Sequence, residues 1–357
     1  MVLTLLLWFG IKAWGIVASE EKKEFLRWCQ SVDLSEPQAN SRSAILYALG
    51  VTDCETGWDV IQEIEVLPLF NKGISDLQGI RFARRLKFLD LVGNSVTDLT
   101  PLENLMELTY LNLTGNKVSD ISALSRLLAL KEIYLAMNQI NDINPLKSHV
   151  HLNVLSLGDN KIRSLSALRD LRWLKRLSAP LNHIQSSEGL ALLRELTYLD
   201  LSDNQLEDLM DIRKLQALQE VNLANNKIEN LHAVSELKNL RRLSVFNNRM
   251  VSVGGVENLR SLEFFGFANN RVSDLRPLGG LQALKGLNAR DNKISDVRPI
   301  AKLTELEWVD LDGNKIDEVD SLNSLQRLKR LSLTRNPLSG GRVCPVPDPE
   351  NEICVFD

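Results

Sequence analysis

Apolar residues recur along most of the chain in a regular 22-residue pattern. In the first full copy they are Leu86, Leu89, Leu91, Val96, Leu99, Leu102 and Leu105. Equivalent copies begin at Leu108 and continue without insertion or deletion to the copy that begins at Leu328, and a degenerate copy starts at Ile64. The alternation in Leu89-Asp90-Leu91 predicts a short β-strand with both leucines turned inward. A strand and a return segment in every copy predict a solenoid of stacked coils.

An asparagine follows the strand of every full copy, and the twelve asparagines are evenly spaced at the same 22-residue interval. An asparagine side chain both donates and accepts hydrogen bonds, so it can satisfy the buried loop backbone of its own and the adjacent coil. We therefore predict a structural asparagine ladder. Its members are Asn94, Asn116, Asn138, Asn160, Asn182, Asn204, Asn226, Asn248, Asn270, Asn292, Asn314 and Asn336.

The return segment carries an aspartate at one recurring position, with proline or alanine often three residues later. This pattern predicts aspartates that cap short helical or 3₁₀ turns. The aspartates are Asp76, Asp98, Asp120, Asp142, Asp208, Asp274 and Asp296. The fifth repeat departs from the frame with Ala179-Pro180 in its strand, and its return segment over Glu188–Glu195 is predicted to be more helical.

These repeats resemble the leucine-rich repeat family, and most closely its 22-residue class in bacterial internalin-like proteins and a eukaryotic phosphatase-1 regulatory subunit. The resemblance implies an α/β solenoid, a right-handed curved superhelix with a parallel β-sheet on its concave face and 3₁₀ turns on its convex face. Residues 64–339 form this solenoid, with about twelve full repeats and a terminal half repeat. Residues 20–63 are predicted to be a helical N-terminal cap, and residues 340–357 a cysteine-bearing C-terminal cap.

Residues 1–19 form an apolar run that ends in Val17-Ala18-Ser19, which is typical of a secretory signal peptide. Lys12 interrupts the run and no basic residue precedes it, so a retained anchor and an apolar cap helix stay as alternatives. All four cysteines lie outside the repeats. Stacked coils separate the two ends by roughly 50 Å, too far for a disulfide. The predicted disulfides are therefore Cys29–Cys54 and Cys344–Cys354, and four reduced, buried thiols in a cytosolic protein are the alternative.

The composition of the chain argues against several classes of function. Apolar residues make up 44% and charged residues 25% of the chain, and 42 Lys+Arg against 46 Asp+Glu leave a net charge of −4. This balance is typical of a soluble protein and lacks the basic field of a nucleic-acid-binding protein. Of the four histidines, His149 and His151 form an H-x-H pair that we assign to a solvated turn. No catalytic, metal or cofactor motif is found, so we expect neither an enzyme nor a cofactor.

Strand alternation also predicts which side chains face outward on the concave sheet. Aromatic residues and arginine are the usual anchors of protein interfaces, and among the outward positions these are Phe88, Tyr110, Tyr134, Tyr198, Arg242, Phe246, Phe264 and Trp308. Packing of aromatic rings across neighbouring strands is the competing interpretation. The remaining outward residues are mostly small and polar, and need no ligand to explain them.

The sequence therefore predicts a non-catalytic protein-binding scaffold that acts through its concave face as a monomer. It would be secreted, periplasmic or at the cell surface, without a membrane span and without a nucleic-acid partner. The alternative is an intracellular, cytoplasmic regulatory subunit of a protein phosphatase or similar enzyme.

Overall fold

A computed structural model describes residues 20–339, 344–347 and 353–356. The predicted signal peptide, residues 1–19, lies outside the described residues, as does part of the predicted C-terminal cap. The chain divides into two compact units, with the boundary after Ser156.

The described part of the first unit begins with three helices, which confirms the predicted helical cap: α1 (residues 20–30), α2 (Glu36–Ala48) and α3 (Cys54–Glu63). Helix α2 begins with a capping box between Ser35 and Gln38, and the Asp53 carboxylate accepts a hydrogen bond from the first turn of α3. As predicted, Cys29 of α1 is bonded to Cys54 of α3, with 5.8 Å between their Cα atoms. The cap is thus fixed by both capping and a covalent link.

Five short parallel strands follow in the first unit, each paired with the next along the chain. They are β1 (Val66–Pro68), β2 (Phe88–Asp90), β3 (Tyr110–Asn112), β4 (Glu132–Tyr134) and β5 (Val154–Ser156). Between them lie the 3₁₀ turns η1 (Gln78–Phe82), η2 (Thr100–Leu102), η3 (Ser122–Arg126) and η4 (Asn144–Leu146). The register pairs equivalent residues of successive copies, such as Leu89 with Leu111, so the sequence period is also the structural repeat.

The second unit continues the same strand-and-turn pattern. Its strands are β6 (Arg176–Ser178), β7 (Tyr198–Asp200), β8 (Glu220–Asn222), β9 (Arg242–Ser244), β10 (Phe264–Gly266), β11 (Gly286–Asn288), β12 (Trp308–Asp310), β13 (Arg330–Ser332) and β14 (Cys354–Val355). Its 3₁₀ turns are η5 (Ser166–Leu168), η6 (Ile212–Lys214), η7 (His232–Val234), η8 (Arg276–Leu278), η9 (Arg298–Ile300) and η10 (Asp320–Ser324). Cys354 of β14 is bonded to Cys344, the second predicted pair. The fold is the predicted α/β solenoid.

The repeated leucines form the core. The middle residue of each strand from β2 to β13 is buried, as are the recurring apolar residues of the return segments, such as Leu99, Leu102 and Leu105. One coil cannot bury these side chains alone, and stacking on the next coil removes them from water. Burial of a leucine contributes about 1.5–3 kcal/mol, so the repeated leucines are a large source of stability.

Within each unit, the ladder asparagines connect successive coils. The Asn226 side-chain oxygen accepts from the Leu206 backbone N–H at 2.8 Å, and its Nδ2 donates to the carbonyls of Leu201 and Leu223 at 2.9 and 3.1 Å. The same pattern of one acceptor and several donor contacts recurs, for example at Asn94 and Asn314. Backbone groups that would otherwise be buried without partners are thereby satisfied.

The predicted aspartate caps are confirmed. The Asp98 carboxylate accepts from the backbone N–H of Thr100 at 2.8 Å, at the start of η2. All seven aspartates of the pattern accept a hydrogen bond from the backbone N–H of the residue two positions later. Each carboxylate is therefore used within its own turn.

The prediction of a more helical return segment in the fifth repeat is wrong. Residues 188–195 contain turns and no helix. Gly189 has φ of +98°, and a Cβ placed there would lie 2.5 Å from the Leu165 carbonyl oxygen of the preceding coil. This conformation and close approach are incompatible with a helix through that position.

The assignment of His149 to a solvated turn is also wrong, whereas His151 is exposed. The His149 side chain is fully buried, with Nδ1 3.2 Å from the Leu146 carbonyl oxygen. Among the described residues its Nε2 atom has no hydrogen-bond partner. Burial lowers the pKa of the imidazole below its usual 6.5, and this effect outweighs nearby backbone carbonyls that favour the protonated form.

We expect this histidine to make the first unit less stable in mild acid. The folded protein keeps the ring neutral, whereas the unfolded chain takes up a proton once the pH falls below about 6.5. The free energy of unfolding should therefore decrease from that pH downward, as far as the lowered pKa of the folded state. The decrease should be absent in His149→Leu and retained in the exposed control His151→Gln, when urea unfolding is compared at about pH 7 and 5.5. Identical pH dependence of the wild type and His149→Leu would contradict the assignment.

Candidate functional site

The outward side of the strands, called the sheet face here, carries the predicted binding residues. In every strand from β2 to β13 the first residue lies outside the core position, because side chains alternate along a strand. Phe88 and Tyr110 are first residues in the first unit, and Tyr198, Phe264 and Trp308 are first residues in the second. In each unit these rings therefore lie on the side of the sheet opposite the leucine core.

In the first unit, the tyrosine cluster consists of Phe88, Tyr110 and Tyr134. The Phe88 and Tyr110 rings are stacked, with centroids 4.2 Å apart and planes 9° from parallel, and Tyr134 lies 5.5 Å from Tyr110. The Tyr134 hydroxyl donates to the Glu132 carboxylate at 2.8 Å. All three rings remain partly exposed, so they pack on one another and still present a continuous aromatic surface.

In the second unit, the five remaining predicted residues surround one depression, called the aromatic pocket here. Tyr198, Arg242, Phe246, Phe264 and Trp308 all line it, and its volume is about 280 Å³. Phe264 and Trp308 are 38% and 36% exposed, although rings of this size are normally buried in a core. The sequence placed these residues on one face, and the structure brings them to one site.

Two glycines make room for the rings of this pocket. A Cβ at Gly266 would lie 2.3 Å from the Phe246 ring, and a Cβ at Gly286 would lie 2.6 Å from the Phe264 ring. Each ring therefore occupies the space above the glycine of the next strand. No other residue at these two positions would allow the same ring placement.

Charged and aromatic groups are paired along the same face. The Arg242 guanidinium lies over the Phe264 ring at 4.2 Å and 3.6 Å from the Glu220 carboxylate. The Arg176 guanidinium lies 4.0 Å from the centre of the Tyr198 ring. Burial, followed by the charges of Asp200 and Glu220, raises the pKa of the Tyr198 phenol. This hydroxyl is therefore a neutral hydrogen-bonding group at physiological pH.

Sequence reasoning missed the polar residues and glycines of the pocket. Asn222, Ser244 and Asn288 line it together with Gly266 and Gly286, and they belong to the small polar positions that seemed to need no ligand. Their position in the repeat could have identified them. The last residues of β8, β9 and β11 lie on the same side of the sheet as the aromatic first residues.

Two further findings concern the chemistry open to the chain. Across the described residues, no group of three or more His, Cys, Asp or Glu side chains is arranged to hold a metal ion. Within the same part of the chain, no helix has the length and apolar character needed to cross a bilayer.

Comparison with known families gives matches to the model for leucine-rich repeats (two copies), at residues 84–126, 107–148 and 194–238. Curated protein sequences give no match.

Solved structures share the fold. An internalin (InlF) of Listeria monocytogenes is 27% identical with a TM-score of 0.70, over 80% of this chain and 92% of the internalin. A leucine-rich repeat protein of Leptospira interrogans is 23% identical with a TM-score of 0.73, over 84% and 85% of the two chains. The ectodomain of the Arabidopsis thaliana receptor kinase GASSHO1/SCHENGEN3, solved with CASPARIAN STRIP INTEGRITY FACTOR 2, is 24% identical with a TM-score of 0.65, over 78% of this chain and 40% of that one.

Proposed function

Because the chain is a leucine-rich repeat protein, we propose that it is a non-catalytic scaffold that binds a protein partner through its sheet face. The fold supports a role in protein binding, since its structural relatives include internalins and a receptor ectodomain solved in complex with CASPARIAN STRIP INTEGRITY FACTOR 2. The observation that carries the specific proposal is the exposed set of aromatic rings in the aromatic pocket and the tyrosine cluster.

Burial of these rings against a partner would supply the binding energy. Interface hot spots are enriched in tryptophan, tyrosine and arginine, and truncation of a fully desolvated one costs about 2 kcal/mol or more. Trp308 and Tyr110 are both outward-facing and partly exposed in the free protein, so a partner that buries them gains this binding free energy. The sheet face also carries small polar residues that suit the rim of an interface.

The test is the double substitution Tyr110→Ala/Trp308→Ala, measured against a partner isolated on the immobilised full chain. We expect affinity to fall at least 100-fold, from two hot spots of about 2 kcal/mol each, with little change in melting temperature because both side chains point away from the core. The matched control is Trp173→Ala, since Trp173 is 59% exposed in a turn outside the strands. Unchanged affinity of the double variant would refute the proposal.

We also propose that the protein is exported. The two disulfides support this, because such bonds persist in oxidising compartments and are rare in the cytosol. Intact mass of the natural protein should show both disulfides and a chain that begins near Ser19 or Glu20. Four free thiols on a chain that retains the whole apolar run from Met1 to Ser19 would contradict export.

A further inference from the structure

The aromatic pocket is a shallow depression on the sheet face, lined by residues from six successive strands between Tyr198 of β7 and Trp308 of β12. Its volume of about 280 Å³ lies just below the roughly 300–1,000 Å³ of cavities that hold whole small-molecule ligands. One aromatic side chain from a partner fits within this volume.

The walls and the rim favour a neutral aromatic occupant. Phe246, Phe264 and Trp308 provide ring faces and edges, with which another ring packs at centroid separations of about 4.5–7 Å. At the rim, Arg242 and Glu220 lie 3.6 Å apart and offset one another's charge. A lysine side chain would meet the guanidinium of Arg242, and a carboxylate would meet Glu220.

The polar side chains of the pocket add a preference for an oxygen atom on that ring. The Asn222 and Asn288 side-chain oxygens each accept a backbone N–H two residues on, at 3.2 Å. Among the described residues, neither their Nδ2 atoms nor the Ser244 hydroxyl has a side-chain hydrogen-bond partner. All three residues line the pocket, so they offer hydrogen-bond donors to an acceptor that enters it.

We propose that the aromatic pocket binds the side chain of a tyrosine in the partner protein. The ring lies against Phe246, Phe264 and Trp308, and its phenol oxygen meets the donors of Asn222 and Ser244, which are paired on the adjacent strands β8 and β9. This inference rests on the proposed protein-binding function and specifies the group that is recognised. A phenylalanine in the same place would leave the polar groups of the pocket without a partner.

The experiment uses N-acetyl-tyrosinamide and N-acetyl-phenylalaninamide as probes of the oxidised full chain, with saturation-transfer NMR titrations. We expect the tyrosine probe to bind with a millimolar Kd, which is the range for a small ligand. The phenylalanine probe should bind roughly 3- to 10-fold more weakly, since it lacks the hydroxyl.

Three variants assign the effect to the pocket. Trp308→Ala should abolish transfer to both probes, whereas Ser244→Ala should lower only the preference for tyrosine. Trp173→Ala, which removes an exposed ring from a turn outside the strands, should change neither. Equal affinity for the two probes, or transfer that survives in Trp308→Ala, would overturn the proposal, as would the absence of binding.

Failure here is distinguishable from failure of the proposed function. The probes report on the pocket without any partner, whereas the Tyr110→Ala/Trp308→Ala variant reports on partner affinity. Loss of partner binding in that variant, together with equal affinity for the two probes, would refute tyrosine recognition and leave the binding scaffold in place.

Discussion

Replacing Asn226 by leucine is expected to lower the free energy of unfolding by about 1–3 kcal/mol. The substitution retains a side chain of similar size but leaves the Leu206 N–H and the Leu201 carbonyl without the partners that lie at 2.8 and 2.9 Å in the native protein. Asn226 is 8% exposed, so water does not readily replace these bonds. Urea unfolding followed by circular dichroism measures the change.

The neighbouring residue gives a matched control. Asn225 has φ of +55° and an exposed side chain that donates to Asp203, so Asn225→Gly retains the backbone conformation while it removes an asparagine. We expect a change below about 0.5 kcal/mol. Equal midpoints for Asn226→Leu and Asn225→Gly would show that the ladder does not stabilise the coils.

The disulfide of the cap should have the larger effect on stability. Cys29–Cys54 closes a loop with a sequence separation of 25 residues, and the loss of its constraint on the unfolded chain corresponds to about 3.5 kcal/mol. Cys29→Ala/Cys54→Ala should therefore unfold at clearly lower urea concentration than the wild type. The exposed apolar end of the first coil then loses a rigid cover.

The second disulfide serves as the comparison. Cys344–Cys354 has a sequence separation of 10 residues, so the same relation gives a smaller loss of about 2.7 kcal/mol for Cys344→Ala/Cys354→Ala. We expect the Cys29→Ala/Cys54→Ala variant to unfold at a lower urea concentration than the Cys344→Ala/Cys354→Ala variant. A cap variant as stable as the wild type would mean that packing of the helices alone closes the solenoid.

The regular part of the fold was predictable because every coil repeats the same physical solution. The regular spacing of asparagine and leucine determined the strand positions, the register and the aspartate caps. His149 is a failure of a different kind, since the frame places it in phase with Leu105 and Leu127, which are buried. Its burial was therefore visible in the pattern, and reading it as one half of an H-x-H pair concealed this.

The candidate site was only partly predictable. The outward aromatic residues could be identified because successive side chains of a strand point to opposite faces of the sheet. The pocket depends instead on ring placement, and the Phe246 and Phe264 rings extend over Gly266 and Gly286 of adjacent strands. Such contacts join side chains of successive repeats, and no local pattern states which way a ring turns.

Hydroxyl-radical footprinting of the complex with the isolated partner shows directly whether the partner covers the sheet face. Trp308 and Trp173 are both exposed in the free protein, at 36% and 59%, and the same oxidation reaction reports on each. We expect partner binding to lower the oxidation rate of Trp308 several-fold and to leave that of Trp173 unchanged. Protection of Trp173 with undiminished oxidation of Trp308 would contradict binding through the sheet face.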